Sequence, residues 1–220
     1  MLGVDELHVQ GFRGQGIRVG VFDSGFENVD SNAAFANLKT QSRIWDHYDY
    51  VDNQPDVYHR GSHGAQVLSL MAAELGSELT GAAPGADYAL YRTEDTDGES
   101  RQEEINWANA AERADSLGAQ ILTTSLGYSE FEDPQENYTP GQMDGATALI
   151  TQAADRAATR GMLVINSAGN SGNNPWRAIT APADGDSVVA VGALNNRREV
   201  VSFSSRGPSA DGRVKPDVLG

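Results

Sequence analysis

Short apolar, β-branched runs recur along the chain, in IRVGVFD, YALYRT, AQILTTSLG, MLVINSAG, SVVAVGAL and VVSFSS. Their nearly continuous apolar character predicts strands, several of them buried on both faces. Between them the spacing turns helical. In QEEINWANAAERADSLG the residues Ile105, Ala108, Ala111, Ala114 and Leu117 recur in three-residue steps, and Gly118 stands where the helix should end. QMDGATALITQAADRAATRG repeats the device, with Met143, Ala146, Ile150, Ala153 and Ala157 as its apolar face and Gly161 as terminator. Strands alternating with helices through short glycine-containing joints predict crossover units. The expected fold is α/β, three layers in the order αβα around a mainly parallel central sheet. The acidic, turn-rich stretch YSEFEDPQENYTPGQMDG reads as a surface excursion between a strand and a helix.

Composition narrows the function. With 220 residues and 39% hydrophobic content the chain suits one domain, residues 1–220, without repeat, low-complexity tract or linker. A net charge of -15 repels a phosphate backbone, which excludes nucleic acid as partner. The only lysines are Lys39 and Lys215, and the acidic surface is of a kind that stays hydrated in concentrated salt. Absence of cysteine removes disulfides, thiolate metal sites and cysteine nucleophiles. No apolar run approaches the roughly 18 residues of a membrane span. The opening MLGVDELHVQGF lacks the regions of a signal peptide, so an export signal is expected only upstream of Met1.

Four places carry candidate chemistry, each near a predicted strand end or helix start, where function gathers in parallel sheets. VGVFDSGF delivers Asp23 to the end of a buried strand; alone, an Asp before small residues is usually a turn or cap. In HRGSHGAQVLSLMAAEL, Gly61, Ser62 and Gly64 crowd His63 at the start of an apolar helix, whose amino end should favour a neutral imidazole. His8, His47 and His59 lack that setting. GMLVINSAGNSG ends a strand at Ser167, Ala168, Gly169 and Asn170, whose amide could donate to a developing negative charge; alone it is an ordinary turn. ILTTSLGYS ends a strand at Ser125, Leu126 and Gly127, leaving backbone open to an added peptide strand. An acid, a base and an oxyanion donor together are parts of a Ser-His-Asp machine.

As a set, VFDSGF, GSHGAQVLSLMA, ILTTSLGYS, INSAGNSG, SFSSRGP and KPDV resemble the subtilisin-like serine proteases, the subtilase family, over roughly Gly16 to Gly220. The resemblance implies a serine endopeptidase acting on polypeptides through an acyl-enzyme. It makes Asp23 the triad acid, His63 the base and Asn170 the oxyanion-hole residue. Ser125, Leu126 and Gly127 match the substrate-docking strand, and Ala168 and Gly169 the wall of the specificity pocket. One departure is Ala65, where the family usually has Thr or Ser two positions after the base. The resemblance also implies a secreted or cell-envelope location, and no cofactor for catalysis. Structural calcium is common in the family, but EDTDGES offers only Asp95 and Asp97 of a calcium-loop pattern and reads as a solvated turn.

In the family a Gly-Thr-Ser segment follows KPDV and supplies the nucleophile. Here Leu219 and Gly220 follow Lys215, Pro216, Asp217 and Val218, and Ser167, Ser171, Ser204 and Ser205 lie in stretches matching other family elements. The expectation is a domain lacking its nucleophile helix at the carboxyl side, inactive alone, and prone to self-association through exposed core. The alternative is a non-catalytic peptide-binding module using the same groove. A nucleotide-binding doubly wound domain is set aside, because GFRGQG precedes the first strand instead of following it.

Overall fold

Every residue of Arg18–Asp23 after Arg18 is buried, as a strand covered on both faces requires. Val19 and Val21 point to one side of the sheet and Phe22 to the other. The computed structural model describes residues 3–220. It begins with a short helix α1 (Val4–Val9), that strand as β1 (Arg18–Asp23), α2 (Ala36–Thr40) and β2 (Ile44–Asp49). Helix α3 (His63–Ala72), a small hairpin β3 (Glu74–Leu75) and β4 (Leu79–Thr80), β5 (Asp87–Arg92) and α4 (Arg101–Ser116) follow. The rest contributes β6 (Ile121–Thr124), α5 (Leu149–Thr159), β7 (Leu163–Ser167), β8 (Val188–Gly192) and β9 (Val218–Leu219).

Seven strands form one sheet in the order β2, β5, β1, β6, β7, β8, β9, and every neighbouring pair is parallel. The expected three-layer α/β architecture is therefore present. On one face α4 and α5 cover Phe22, Tyr91, Leu122 and Val164 with Trp107, Ala110, Ala114, Ile150 and Ala154. On the other, α2 and α3 bring Leu38 and Leu68 against Val19, Val21, Tyr88 and Leu90. No described helix is long and apolar enough to cross a membrane.

Several details differ from the sequence-based expectation. Helix α4 buries Glu103, Glu104, Asn106, Trp107, Ala110, Ala111 and Ala114, whereas Ile105 and Leu117 remain 41% and 40% exposed. The reason is geometric: three-residue steps drift by about 60° each around a helix of 3.6 residues per turn, so five residues spaced in this way do not share a face. Helix α5 begins at Leu149, leaving Met143 buried ahead of it and Ala146 exposed outside it. VVSFSS forms no strand. The Ser204 side chain accepts from Ala193 N (3.1 Å) and that of Ser205 from Ser171 N (2.9 Å), contacts that hold the segment in turns.

The stretch from Tyr128 to Gly145 is a surface excursion only in part, because Tyr128, Phe131, Tyr138 and Met143 are buried. Tyr128 stacks on Phe131, Phe131 meets Tyr138 edge-on, and the Arg101 guanidinium lies 3.7 Å from the Tyr138 ring centre. Strand β2 escaped the apolar pattern because IWDHYD carries Asp46, His47 and Asp49 along a half-buried edge. At the opposite edge β9 has only two residues, both exposed.

Candidate active site

The carboxyl ends of β5, β1, β6 and β7 lie side by side, so the loops leaving them share one rim of the sheet. Asp23 closes β1 and is fully buried. Its Oδ1 accepts from Ser24 N (2.8 Å) and from His63 Nδ1 (2.7 Å); its Oδ2 is buried without a partner. His63 is the first residue of α3, with a half-exposed side chain. Donation from Nδ1 to Asp23 fixes the tautomer and leaves Nε2 free to accept a proton. The Asp23 hydrogen bond raises the imidazole pKa above its usual value, against the opposing effect of burial. This corrects the expectation that the helix end would favour the neutral ring: a partial dipole charge is weaker than a full carboxylate at contact.

The contact depends on glycines. A β-carbon on Gly61, whose φ is +69°, would sit 2.2 Å from Ser24 O. On Gly64 it would sit 2.4 Å from Gly25 O and 2.9 Å from the Asp23 β-carbon. The turn after β1 and the first turn of α3 thus touch backbone to backbone, which only missing side chains permit. Ala65 packs against the core on that side of the sheet.

Arg92, at the end of β5, was not singled out by its sequence. It is fully buried, donates to Asp49 Oδ2 and Asp52 Oδ2 at 2.9 Å each, and reaches Ser24 O at 3.2 Å. It thereby ties the loops after β1 and β2 together directly behind Asp23.

Two strands away from Asp23, roughly 10 Å by ordinary strand spacing, β7 ends near Ala168, Gly169 and Asn170. Ala168 is buried, Gly169 has φ +102°, and Asn170 is exposed at the rim. Ser125, Leu126 and Gly127 follow β6, and the Asn166 side chain donates to Leu126 O at 3.0 Å. Between these stretches stands Thr180, also missed in the sequence. Its Oγ1 would lie 2.1 Å from a β-carbon on Gly127 and 2.7 Å from one on Gly169. That hydroxyl is buried and unpartnered. Thr180 therefore forms a floor between the two glycine-bearing segments.

Asp95 and Asp97 are engaged by arginines, at 3.7 Å from Arg92 Nη2 and 3.2 Å from Arg60 Nη1. Among the described residues two groups have metal-ligating atoms close together: Asp49, Asp52 and His59, and Glu94, Glu99 and Glu103. The first already holds the Arg92 guanidinium. In the second, both Glu103 oxygens accept backbone N–H groups, from Asp95 (2.8 Å) and Ser100 (2.9 Å).

The model of the Subtilase family matches residues 14–219, and the chain belongs to that family. It is similar to subtilisin E of Bacillus subtilis, with 31% identity over 209 residues, 93% of this chain and 48% of that protein. Subtilisin of Bacillus pumilus is 30% identical over 93% of this chain and 66% of its own length. The minor extracellular protease Vpr of Bacillus subtilis is 30% identical over 93% of this chain and 24% of its own. The chain thus spans about half the length of subtilisin E. Its fold is shared with the prenylagaramide maturation protease PagA, at a TM-score of 0.70 and 21% identity over 95% of this chain and 65% of that one. The self-cleaved protease domain of PatA gives a TM-score of 0.66 at 22% identity over 90% of this chain and 65% of that one.

Proposed function

We propose that the chain is the acid-base and substrate-docking part of a serine endopeptidase that hydrolyses peptide bonds through an acyl-enzyme. The observation that carries this reading is the 2.7 Å contact between His63 Nδ1 and the buried Asp23 carboxylate. With Nδ1–H committed there, Nε2 takes the proton of a serine hydroxyl and returns it to the leaving amine. Asp23 holds the ring in that tautomer and stabilises the imidazolium as it forms. In the same reading the Asn170 amide donates to the carbonyl oxygen as it becomes tetrahedral, worth on the order of 2.7–4 kcal/mol in such sites. The substrate backbone pairs along Ser125, Leu126 and Gly127, beside Ala168 and Gly169.

Among the described residues no serine hydroxyl hydrogen-bonds His63. Ser167 Oγ accepts from Gly169 N at 3.2 Å, and the Ser204 and Ser205 hydroxyls hold backbone amides of other loops. We therefore assign the nucleophile to residues outside these 220 and expect the chain alone to be inert. The chemistry needs no cofactor. Similarity to a protease named as extracellular supports a secreted or cell-envelope location.

Val214, Val218, Leu219 and Phe203 are exposed near the β9 edge, which favours self-association. Sedimentation as a monomer at high concentration would count against that. The activity itself is tested by extending the chain with a subtilase Gly-Thr-Ser helix. The extended protein should cleave peptide amides, and Asp23→Asn or His63→Ala should each abolish cleavage. A cooperatively folded extended protein that binds peptides without cleaving them would favour the binding-module reading.

A further inference from the structure

Next to Asp23 in the chain, Ser24 lines an open surface cleft of about 330 Å³ together with Glu94 and residues 95–99. Its place is set by two residues already tied to the site. Ser24 follows Asp23, and the Tyr128 hydroxyl, one residue beyond Gly127, donates to Glu94 Oε1. The cleft thus begins one residue after Asp23, and its wall residue Glu94 is tied to the segment that follows Gly127.

It gathers carboxyl groups. Glu94 is 93% buried by its 7% exposure, faces the cavity, and its second carboxylate oxygen has no hydrogen-bond partner. Among the described residues Glu94, Glu99 and Glu103 form no ion pair, although their oxygens approach within 4.8 Å of one another. Of the arginines nearby, Arg60 pairs with Asp97 at 3.2 Å, and Arg92 hydrogen-bonds Asp49 and Asp52, its Nη2 lying 3.7 Å from Asp95. Burial, reinforced by repulsion from Glu103, Glu99 and Asp23, holds the Glu94 carboxyl well above its usual range. The carboxyl therefore stays protonated while the site is empty, and a cation brought beside it would favour its ionised form.

We propose that this cavity receives a cationic side chain of the docked peptide, with Glu94 and Glu99 recognising its ammonium or guanidinium group. The proposal rests on the peptidase reading above, because the docking strand brings the side chain there. The space suits an extended lysine or arginine, and a planar guanidinium could share two carboxylates. A bare metal ion fits less well: Tyr128 holds one Glu94 oxygen and backbone amides hold both of Glu103. Asp95 and Asp97 contribute negative potential at the rim, but their arginine partners neutralise them.

The test is calorimetric binding of blocked alanine-based hexapeptides to the chain, each carrying one arginine or its neutral isostere citrulline at successive positions. In at least one register arginine should bind roughly tenfold tighter than citrulline, as expected for a charge-assisted pair. Glu94→Gln and Glu99→Gln, checked for cooperative unfolding, should each remove most of that preference while leaving citrulline binding in place. Equal binding of arginine and citrulline peptides in every register overturns this proposal and leaves the docking reading intact. Calcium titrated alone that binds the chain and is lost in both variants overturns it in favour of a metal site. Failure of every peptide to bind removes the docking reading as well.

Discussion

His63 Nδ1 and Asp23 Oδ1, 40 residues apart in the chain, meet at 2.7 Å where the end of β1 touches the start of α3. The contact favours the imidazolium form, so the His63 pKa should lie above the usual 6.5 and fall when the charge is removed. An NMR titration of His63 in the chain and in Asp23→Asn measures this directly. Equal values in the two proteins would show that Asp23 does not act on the ring.

The backbone contact at Gly64 supplies a second expectation. Gly64→Ala places a methyl group against Gly25 O and the Asp23 β-carbon, neither of which can move without shifting β1 or its turn. Overpacking of this kind costs about 1–3 kcal/mol. Denaturant unfolding should show that loss, and the His63 titration should shift toward its ordinary value as the pair separates. A variant as stable as the parent, with an unchanged His63, would mean the loop yields freely.

Arg92 should be structurally indispensable. Arg92→Met strands the fully buried Asp49 carboxylate, and losing one member of a buried pair costs about 3–5 kcal/mol. Adding Asp49→Asn should recover part of that loss, because the stranded charge is gone. No recovery in the double variant would assign the cost to packing and to the Ser24 contact instead.

The buried glutamates predict an unusual pH dependence. Burial pushes the Glu103 carboxyl up to about 7, with Glu94 and Glu99 also raised from the ordinary 4.5. Raised acids bind protons more tightly in the folded state. Their stabilisation is complete below the unfolded value and fades as pH rises through the folded ones. His63 shifts stability in the same direction, whereas the lowered carboxylates Asp46, Asp52, Asp144, Asp211 and Asp217 matter only in acid. The thermal midpoint should therefore be lower near about pH 8 than near about pH 5, and Glu94→Gln should shrink the difference. A parent midpoint that rises over that interval would contradict the assignment.

The legible parts of this protein were those that local pattern dictates. Buried strands announced themselves as apolar runs, and Asp23 and His63 stood out because small residues surround each at an element boundary. Arg92 and Thr180 were invisible for a different reason. Their partners, Asp49 and Asp52 for one and the Gly127 and Gly169 backbone for the other, are brought together only by sheet order. The face of α4 was misread because Trp107 and the capping Glu103 turn inward, contrary to a count of apolar three-residue steps. β2 was missed because its charged residues find partners across the fold: Asp46 takes the Arg113 guanidinium, at 2.6 and 2.8 Å, and Asp49 takes Arg92.

The most direct measurement is intact mass spectrometry after treatment with a fluorophosphonate that labels activated serines, on the chain alone and on the chain extended by a Gly-Thr-Ser helix. The chain alone should take no adduct. The extended protein should take one, on the added serine, and lose it in His63→Ala. An adduct on any serine within these 220 residues, or a folded extended protein that stays unlabelled, would contradict the assignment of Asp23 and His63 to a nucleophile supplied from outside them.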